Sequence, residues 1–302
     1  MEKYLAIDVG GSSLKYAVID EQLTFSIHGS VPADISTREH TFAAIKQLWE
    51  EHGEGCCGIA MSIPGAIDRN RGWAYSGGAF LWVKDEPYAQ EISDLIGGVP
   101  VTIVNDAKSA AMAEIGYGNL KGIDSGVVIV LGTGIGGAVV LNGQVLQGSH
   151  FTAGEFSFLR GDVQEREGSG DVFANYNGIA GIKSAIKKAS GLDDIDGLKA
   201  FKMIKEDHNE QVLQGMKDYC YYLAFHIYNI QAALDVQRVL IGGGISNEPM
   251  FLDLVQEAVT RKFNSSFIHL IQEPELMTCK YHNDANLIGA VHNFRDVTGR
   301  NR

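Results

Sequence analysis

YLAIDVGGSSLKYAVID, residues 4–20, sets an apolar run, one acid, a glycine turn and a second apolar run in that order. Tyr4, Leu5, Ala6 and Ile7 read as a buried strand that ends on Asp8. Gly10-Gly11-Ser12-Ser13 is a turn and Leu14 to Ile19 the returning strand, so the stretch predicts a β-hairpin. The pattern restarts downstream. GVVIVLGTGIGGAVVLNGQVL, residues 126–146, again gives strand, glycine turn and strand, followed by a further turn and strand. When Ile7–Asp20 is set against Ile129–Asn142, the two glycine turns coincide. An internal duplication near half the chain predicts two similar α/β domains that face each other across a cleft. Such a cleft is where a ligand is expected.

Around the hairpins the period changes. TREHTFAAIKQLWEEHG (37–53) carries Phe42, Ile45, Leu48 and Trp49 on one helical face. CCGIAMSIPG (56–65) reads as a strand closed by Pro64-Gly65, and VTIVND (101–106) as another. AKSAAMAEIGYG (107–118) continues as an Ala-rich helix. The first half therefore outlines as β-β-α-β-β-α. In the second half VLQGMKDYCYYLAFHIYNIQAALD (212–235) is a helix, RVLIGGG (238–244) a strand and NEPMFLDLVQEAVTRKF (247–263) a helix.

The totals agree with this layout. A chain of 302 residues is long for one core and comfortable for two domains. With 45% hydrophobic and 21% charged residues its composition is that of an ordinary globular protein. A net charge of −12 disfavours nucleic acid and anionic membrane as partners. No apolar stretch approaches a membrane span and no signal peptide precedes Tyr4, which points to the cytoplasm. Cys56, Cys57, Cys220 and Cys279 form no C-x-x-C pair and read as reduced thiols. His150, His282 and His292 have no metal-ligand spacing.

Gly132-Thr133-Gly134-Ile135-Gly136-Gly137 satisfies G-x-G-x-x-G. The residues that follow alternate and are β-branched, so the last glycine opens a strand and a dinucleotide fold is excluded. Two glycine turns at matching positions suit a polyphosphate, because glycine lets backbone N–H groups approach an anion. Tight hairpins without a ligand are the alternative. Asp8, beside the first turn, suits Mg²⁺ held directly or through water; by itself it reads as a turn-capping acid. Asn105-Asp106 stand where a strand meets a helix, either as an N-cap or as an acid at the ligand-binding edge of a sheet. Glu155, in TAGEFSFLRGD (152–162), is an exposed turn residue or a ligand contact. Gly65 and Gly77-Gly78 bring backbone close to a flat, hydroxyl-rich ligand or to a crossing loop.

AIDVGGSSLKYAV, GIAMSIPGAID, VTIVNDAKSAAMAE, VVIVLGTGIGGAVVLNGQVLQG, TAGEF, RVLIGGGIS and NDANLIGAV, in this order and spacing, resemble the ROK sugar kinases nearly end to end. The resemblance implies an α/β fold of two duplicated actin-like (ribonuclease H-like) domains with an interdomain cleft. They would span 1–114 and 115–285, with a C-terminal helix at 286–302 packing back on the first. It implies a homodimer that uses ATP and Mg²⁺ to phosphorylate the 6-hydroxyl of a hexose or β-glucoside. Asp8, Gly10, Gly11 and Ser12 match the first phosphate loop, Thr133 and Gly134 the second, and Gly243 and Gly244 the backbone beside adenosine. Asp106 matches the general base. Asn105 and Glu155 match sugar-hydroxyl ligands, and Gly65 and Gly78 lie where backbone approaches the sugar.

One departure stands out. The family's Gly-Glu-x-x-His segment has Phe158 at its histidine, and 159–185 has no cysteine where the family carries C-x-C-G-x-x-G-C. No zinc site is therefore expected. This zinc-less form resembles bacterial β-glucoside kinases, with a glucokinase or N-acetylmannosamine kinase as the alternative. Phe158 offers an apolar wall to a second sugar ring, or merely fills the space of the lost metal loop. A sugar-sensing ROK repressor is the reading from another class. It needs a DNA-binding domain ahead of the kinase-like part, yet the match already begins at Asp8, and the acidic charge argues against it.

Overall fold

The computed structural model describes residues 1–11, 13–32, 34–161, 172–265 and 267–300. They fall into two compact units: Met1–Lys121 with Val145–Ala153 and Asn283–Arg302, and Gly122–Gln144 with Gly154–His282. The first unit opens with β1 (Lys3–Val9), β2 (Ser13–Asp20), β3 (Phe25–Pro32), α1 (Arg38–His52) and β4 (Cys56–Ile63). A small sheet of β5 (Ala66–Asp68), β6 (Trp73–Gly77) and β7 (Phe80–Glu86) follows, then α2 (Tyr88–Leu95), β8 (Val101–Asn105) and α3 (Asp106–Tyr117). The second unit carries β9 (Ser125–Leu131), β10 (Ile135–Leu141) and β11 (Gln144–Val145). Helices α4 (Phe173–Asn177), α5 (Ile179–Ser190), α6 (Gly197–Glu206) and α7 (Glu210–Leu234) lead to β12 (Arg238–Gly242), α8 (Pro249–Asn264) and β13 (Glu275–Thr278). The chain ends in α9 (Ala285–Val297), back in the first unit.

The two main sheets share one plan, β3-β2-β1-β4-β8 and β11-β10-β9-β12-β13. In each, the first hairpin is antiparallel and the next strands join in parallel. The duplication is therefore a property of the fold. The hairpins differ in one detail: the first closes on Val9↔Leu14 and the second on Ile135↔Leu131, so the second turn is one residue shorter.

β1 is apolar from Tyr4 to Ile7 because both its faces are covered there. Leu5, Ile7 and Val9 enter a core with Ile45 and Leu48 of α1. Tyr4 and Ala6 enter another with Leu287, Val291 and Phe294 of α9. Helix α1 starts at Thr37, whose hydroxyl accepts the His40 N–H. Helix α9 lies hard against α3: a Cβ at Gly289 would sit 1.7 Å from Ser109 O. Ser109 Oγ donates to Asn286 O at 2.7 Å across the same crossing. The second unit packs Met216, Leu223 and Ile227 of α7 against Val127, Ile129, Val239 and Ile241 of its sheet.

The outline β-β-α-β-β-α was too short. It lacks β3, the β5–β7 sheet and α2. β3 is a mostly exposed edge strand with no buried face to mark it, and β5 is three residues long. The unit boundary falls at Lys121/Gly122, since a break at 114 would cut α3, and Val145–Ala153 returns to the first unit. No helix among the described residues is long and apolar enough to cross a membrane. Cys56, Cys57, Cys220 and Cys279 form no disulfide among the described residues.

Candidate active site

Parallel strands β1, β4 and β8 lie side by side, so their C-terminal ends share one edge. Open α/β sheets bind ligands there. Asp8 lies across from Ser62, and Ile63 across from Asn105. The register thus delivers Asp8, the Pro64-Gly65 turn and Asn105-Asp106 to one edge.

Asp8 is buried, with 8% of its surface exposed. One carboxylate oxygen, Oδ1, accepts a hydrogen bond from Asn286 Nδ2 at 3.0 Å. Burial pushes its carboxyl above the ordinary carboxylate range, an effect that Asn286, Ser62 and Lys15 partly offset. A carboxylate so placed gains from a neighbouring cation. Magnesium takes one or two carboxylates and keeps several waters, so a single buried acid at a strand end fits it. Gly10 N–H donates to Ser13 O at 3.0 Å, which tightens the turn. Gly11 is exposed, with open space where a side chain would be. Ser12 lies outside the described residues.

Asn105 does cap α3: its Oδ1 accepts the Lys108 N–H at 3.1 Å. Its Nδ2 also donates to Gly65 O at 3.0 Å, pinning the Gly65 turn to the start of that helix. Gly65 has φ 108°, and a Cβ there would lie 1.9 Å from Ser76 O. Gly78 has φ 59°, with its Cβ position 3.5 Å from Gly65 N. These two glycines mark a crossing of loops at backbone distance. Asp106 is the first residue of α3 and half-buried, and its Oδ1 accepts the Ala107 N–H at 2.8 Å.

In the second unit Thr133 and Gly134 stand exposed at the tip of the β9–β10 turn. Gly132 N–H donates to Gly134 O at 3.0 Å, and Ile179 N–H donates to Gly132 O at 3.1 Å. A Cβ at Gly178 would meet Thr133 O at 2.6 Å, so the start of α5 backs the turn closely. Gly132 and Gly178 also line a cavity of about 290 Å³, together with Ile179, Ile182, Asp196 and Gly244. Gly243 has φ 96°, and a Cβ there would lie 2.0 Å from Leu131 O, whereas Gly244 faces open space.

Glu155 is half-buried and precedes the short 3₁₀ turn Phe156–Phe158. This segment sits against β10, where a Cβ at Gly137 would meet the Phe156 ring at 2.2 Å and Gly154 O at 2.4 Å. Ile135 N–H donates to Ser157 Oγ at 3.2 Å. Phe158 is 73% exposed. Among the described residues no group of three or more His, Cys, Asp or Glu side chains could hold a metal ion.

Asn286, Lys108 and the cavity wall escaped the sequence reading. Asn286 is 278 residues from Asp8 in the chain, and only the packing of α9 brings them together. Lys108 is 1% exposed, although lysine is ordinarily a surface residue. Ile179 and Ile182 are letters that any core uses.

The profile of the ROK family matches residues 4–297. A β-glucoside kinase of Klebsiella pneumoniae is 29% identical, covering 98% of this chain and 97% of its own. An N-acetylmannosamine kinase of Salmonella typhi is 30% identical, covering 95% of this chain and 96% of its own. The crystal structure of a ROK family protein from Streptococcus pneumoniae TIGR4 in complex with sucrose superposes with a TM-score of 0.85 at 26% identity, covering 99% of both chains.

Proposed function

The chain belongs to the ROK family and is a sugar kinase; on that premise we propose that it transfers the terminal phosphoryl group of ATP to the 6-hydroxyl of a hexose or β-glucoside, with Asp106 as general base. The observation that carries this reading is the strand-end edge where Asp8, the Gly65 turn and Asn105-Asp106 come together. Asp106 takes the proton of the attacking hydroxyl, the role a carboxylate plays in phosphoryl transfer. Glu155 and Asn105 bond sugar hydroxyls; Asn105 keeps a second amide hydrogen after its bond to Gly65. Backbone at Gly65 and Gly78 borders the sugar. Gly10, Gly11 and Ser12, and Thr133 and Gly134, are the residues we assign to the phosphates, with Gly11, Thr133 and Gly134 exposed at their turns. Gly243 and Gly244 flank adenosine, Gly244 as a wall of the 290 Å³ cavity, whose Ile179 and Ile182 supply apolar surface for a base. Asp8 would hold Mg²⁺, directly or through water, and the ion would supply positive charge to the phosphates.

A β-glucoside is favoured over a free hexose by the exposure of Phe158, which offers a ring face where a histidine would offer a hydrogen bond. The sucrose complex of the pneumococcal relative shows that a protein of this family can hold a disaccharide. We place the enzyme in the cytoplasm as a homodimer that acts on a small sugar, with neither nucleic acid nor membrane as partner. ADP release across glucose, N-acetylmannosamine, N-acetylglucosamine, cellobiose and gentiobiose tests the assignment. The highest kcat/KM is expected for a β-glucoside. A value for glucose or N-acetylmannosamine far above every β-glucoside would overturn the preference, and silence on all five the acceptor class.

A further inference from the structure

Lys108 follows Asp106 by two residues on α3, and its neighbours Ala107, Ser109, Ala110 and Ala111 are all buried. Packing alone would be served by an apolar residue, because a buried ammonium is costly unless it is hydrogen-bonded. Here Nζ donates to Phe151 O at 2.7 Å and to Gln147 O at 3.4 Å. Both carbonyls belong to Val145–Ala153, the short segment that returns to the first unit.

That segment is held in an unusual shape. Phe151 has φ 62°, in the left-handed region that a bulky residue avoids, and Gly148 has φ 75°. Phe151 N–H donates to Gly148 O and Ala153 N–H to Gln147 O, both at 3.3 Å. The Phe151 ring stacks on Tyr75 at 5.1 Å and 12°. Tyr75 adjoins Ser76, whose carbonyl is the one that Gly65 crosses. The loop is thus pinned on one side to the helix that begins with Asp106, and on the other to the strand beside the Gly65 crossing. Four residues after Phe151 the chain reaches Glu155.

We infer that Lys108 is a positioning residue for sugar binding: its ammonium fixes the Gln147–Phe151 turn and so sets where the chain enters Glu155. The inference rests on the reading of Glu155 as a sugar ligand.

Lys108→Met keeps the length and the apolar stem and removes the donors. Two bonds from a charged donor are lost, so the sugar KM should rise about tenfold or more. The KM for Mg·ATP should stay within about twofold, and amide exchange at Phe151 and Ala153 should quicken. Tyr75→Ala, at a side chain on the surface, should raise the sugar KM in the same selective way but by less, about threefold. A folded Lys108→Met enzyme with an unchanged sugar KM, or with both KM values moved alike, overturns the inference. If that variant does not fold, Tyr75→Ala with an unchanged sugar KM overturns it. A wild-type protein that phosphorylates no sugar defeats the Glu155 reading and this inference together, whereas an active wild type with an unmoved sugar KM in the variants defeats this inference alone.

Discussion

Gly289→Ala tests whether the contact of α9 with α3 sets the geometry at Asp8. Gly289 has an ordinary helical backbone, so a methyl group there meets only a steric obstacle. That obstacle is Ser109 O, a backbone atom 1.7 Å from the Cβ position, and no rotamer change can move it. Ordinary contact begins at about 3.4 Å, so the helices must separate by about 1.7 Å or bend. Asn286 is one turn earlier on α9 and bonds Asp8 at 3.0 Å. A separation of that size carries the pair beyond hydrogen-bond range. Overpacking costs about 1–3 kcal/mol, and loss of a hydrogen bond to a charged group about 1.5–3 kcal/mol. At roughly 2 °C per kcal/mol for a chain of this size, the melting temperature should fall by at least about 5 °C. Thermal unfolding followed by circular dichroism measures the first effect. Steady-state kinetics measure the second, a raised KM for Mg·ATP with a smaller change for sugar. A melting temperature within 1 °C or so of wild type, with both KM values unchanged, would refute the reasoning.

Asp106→Asn should lower kcat by roughly two to four decades while nucleotide still binds; near-normal turnover in the folded variant removes Asp106 from the mechanism. Asp8→Asn keeps an acceptor for Asn286 and drops the buried charge. Since the folded carboxyl titrates above the unfolded one, wild-type stability contributed by Asp8 is present at low pH and is lost as pH rises through its raised value. Melting curves from pH 4 to 8 should show the variant more stable at pH 8 by about 2 °C, with impaired use of Mg·ATP; a lower melting temperature at pH 8 contradicts this. Gly243→Ala drives a methyl into Leu131 O, and nucleotide affinity by calorimetry should drop at least tenfold, or the protein should fail to fold; unchanged affinity and stability would count against the cavity as the adenosine site. Metal analysis of the purified protein should find no stoichiometric zinc.

The parts of the fold that were legible in the sequence are those marked by punctuation. Glycine turns bounded β1, β2, β9 and β10, and their repetition disclosed the duplicated sheet. β3 was not legible because an edge strand with His28, Ser26 and Ser30 facing water carries no apolar alternation. The strand-end acids were legible as a pair of alternatives. For Asn105 the structure shows the capping role in place, together with a second bond to Gly65 that no local pattern announces. Gly65 lies against the Ser76 carbonyl and Gly78 has φ 59°, so the lack of a side chain at each has a cause within the fold. Lys108 and Asn286 were illegible for a common reason: each works through a partner distant in sequence.

The placement of α9 also bears on how the chain is made. Tyr4, Ala6, Ala60 and Val104 form a surface that is covered by Leu287, Ala290, Val291 and Phe294. On the ribosome, the strand at residue 4 emerges roughly 280 residues before that helix. At about 5–20 residues per second, this apolar surface waits uncovered for tens of seconds, within reach of other nascent chains and of chaperones. A stop codon a few turns from the end is therefore no mild truncation. It withholds one wall of the core from a sheet that was synthesised first, and every protein made from such a message would keep that surface bare.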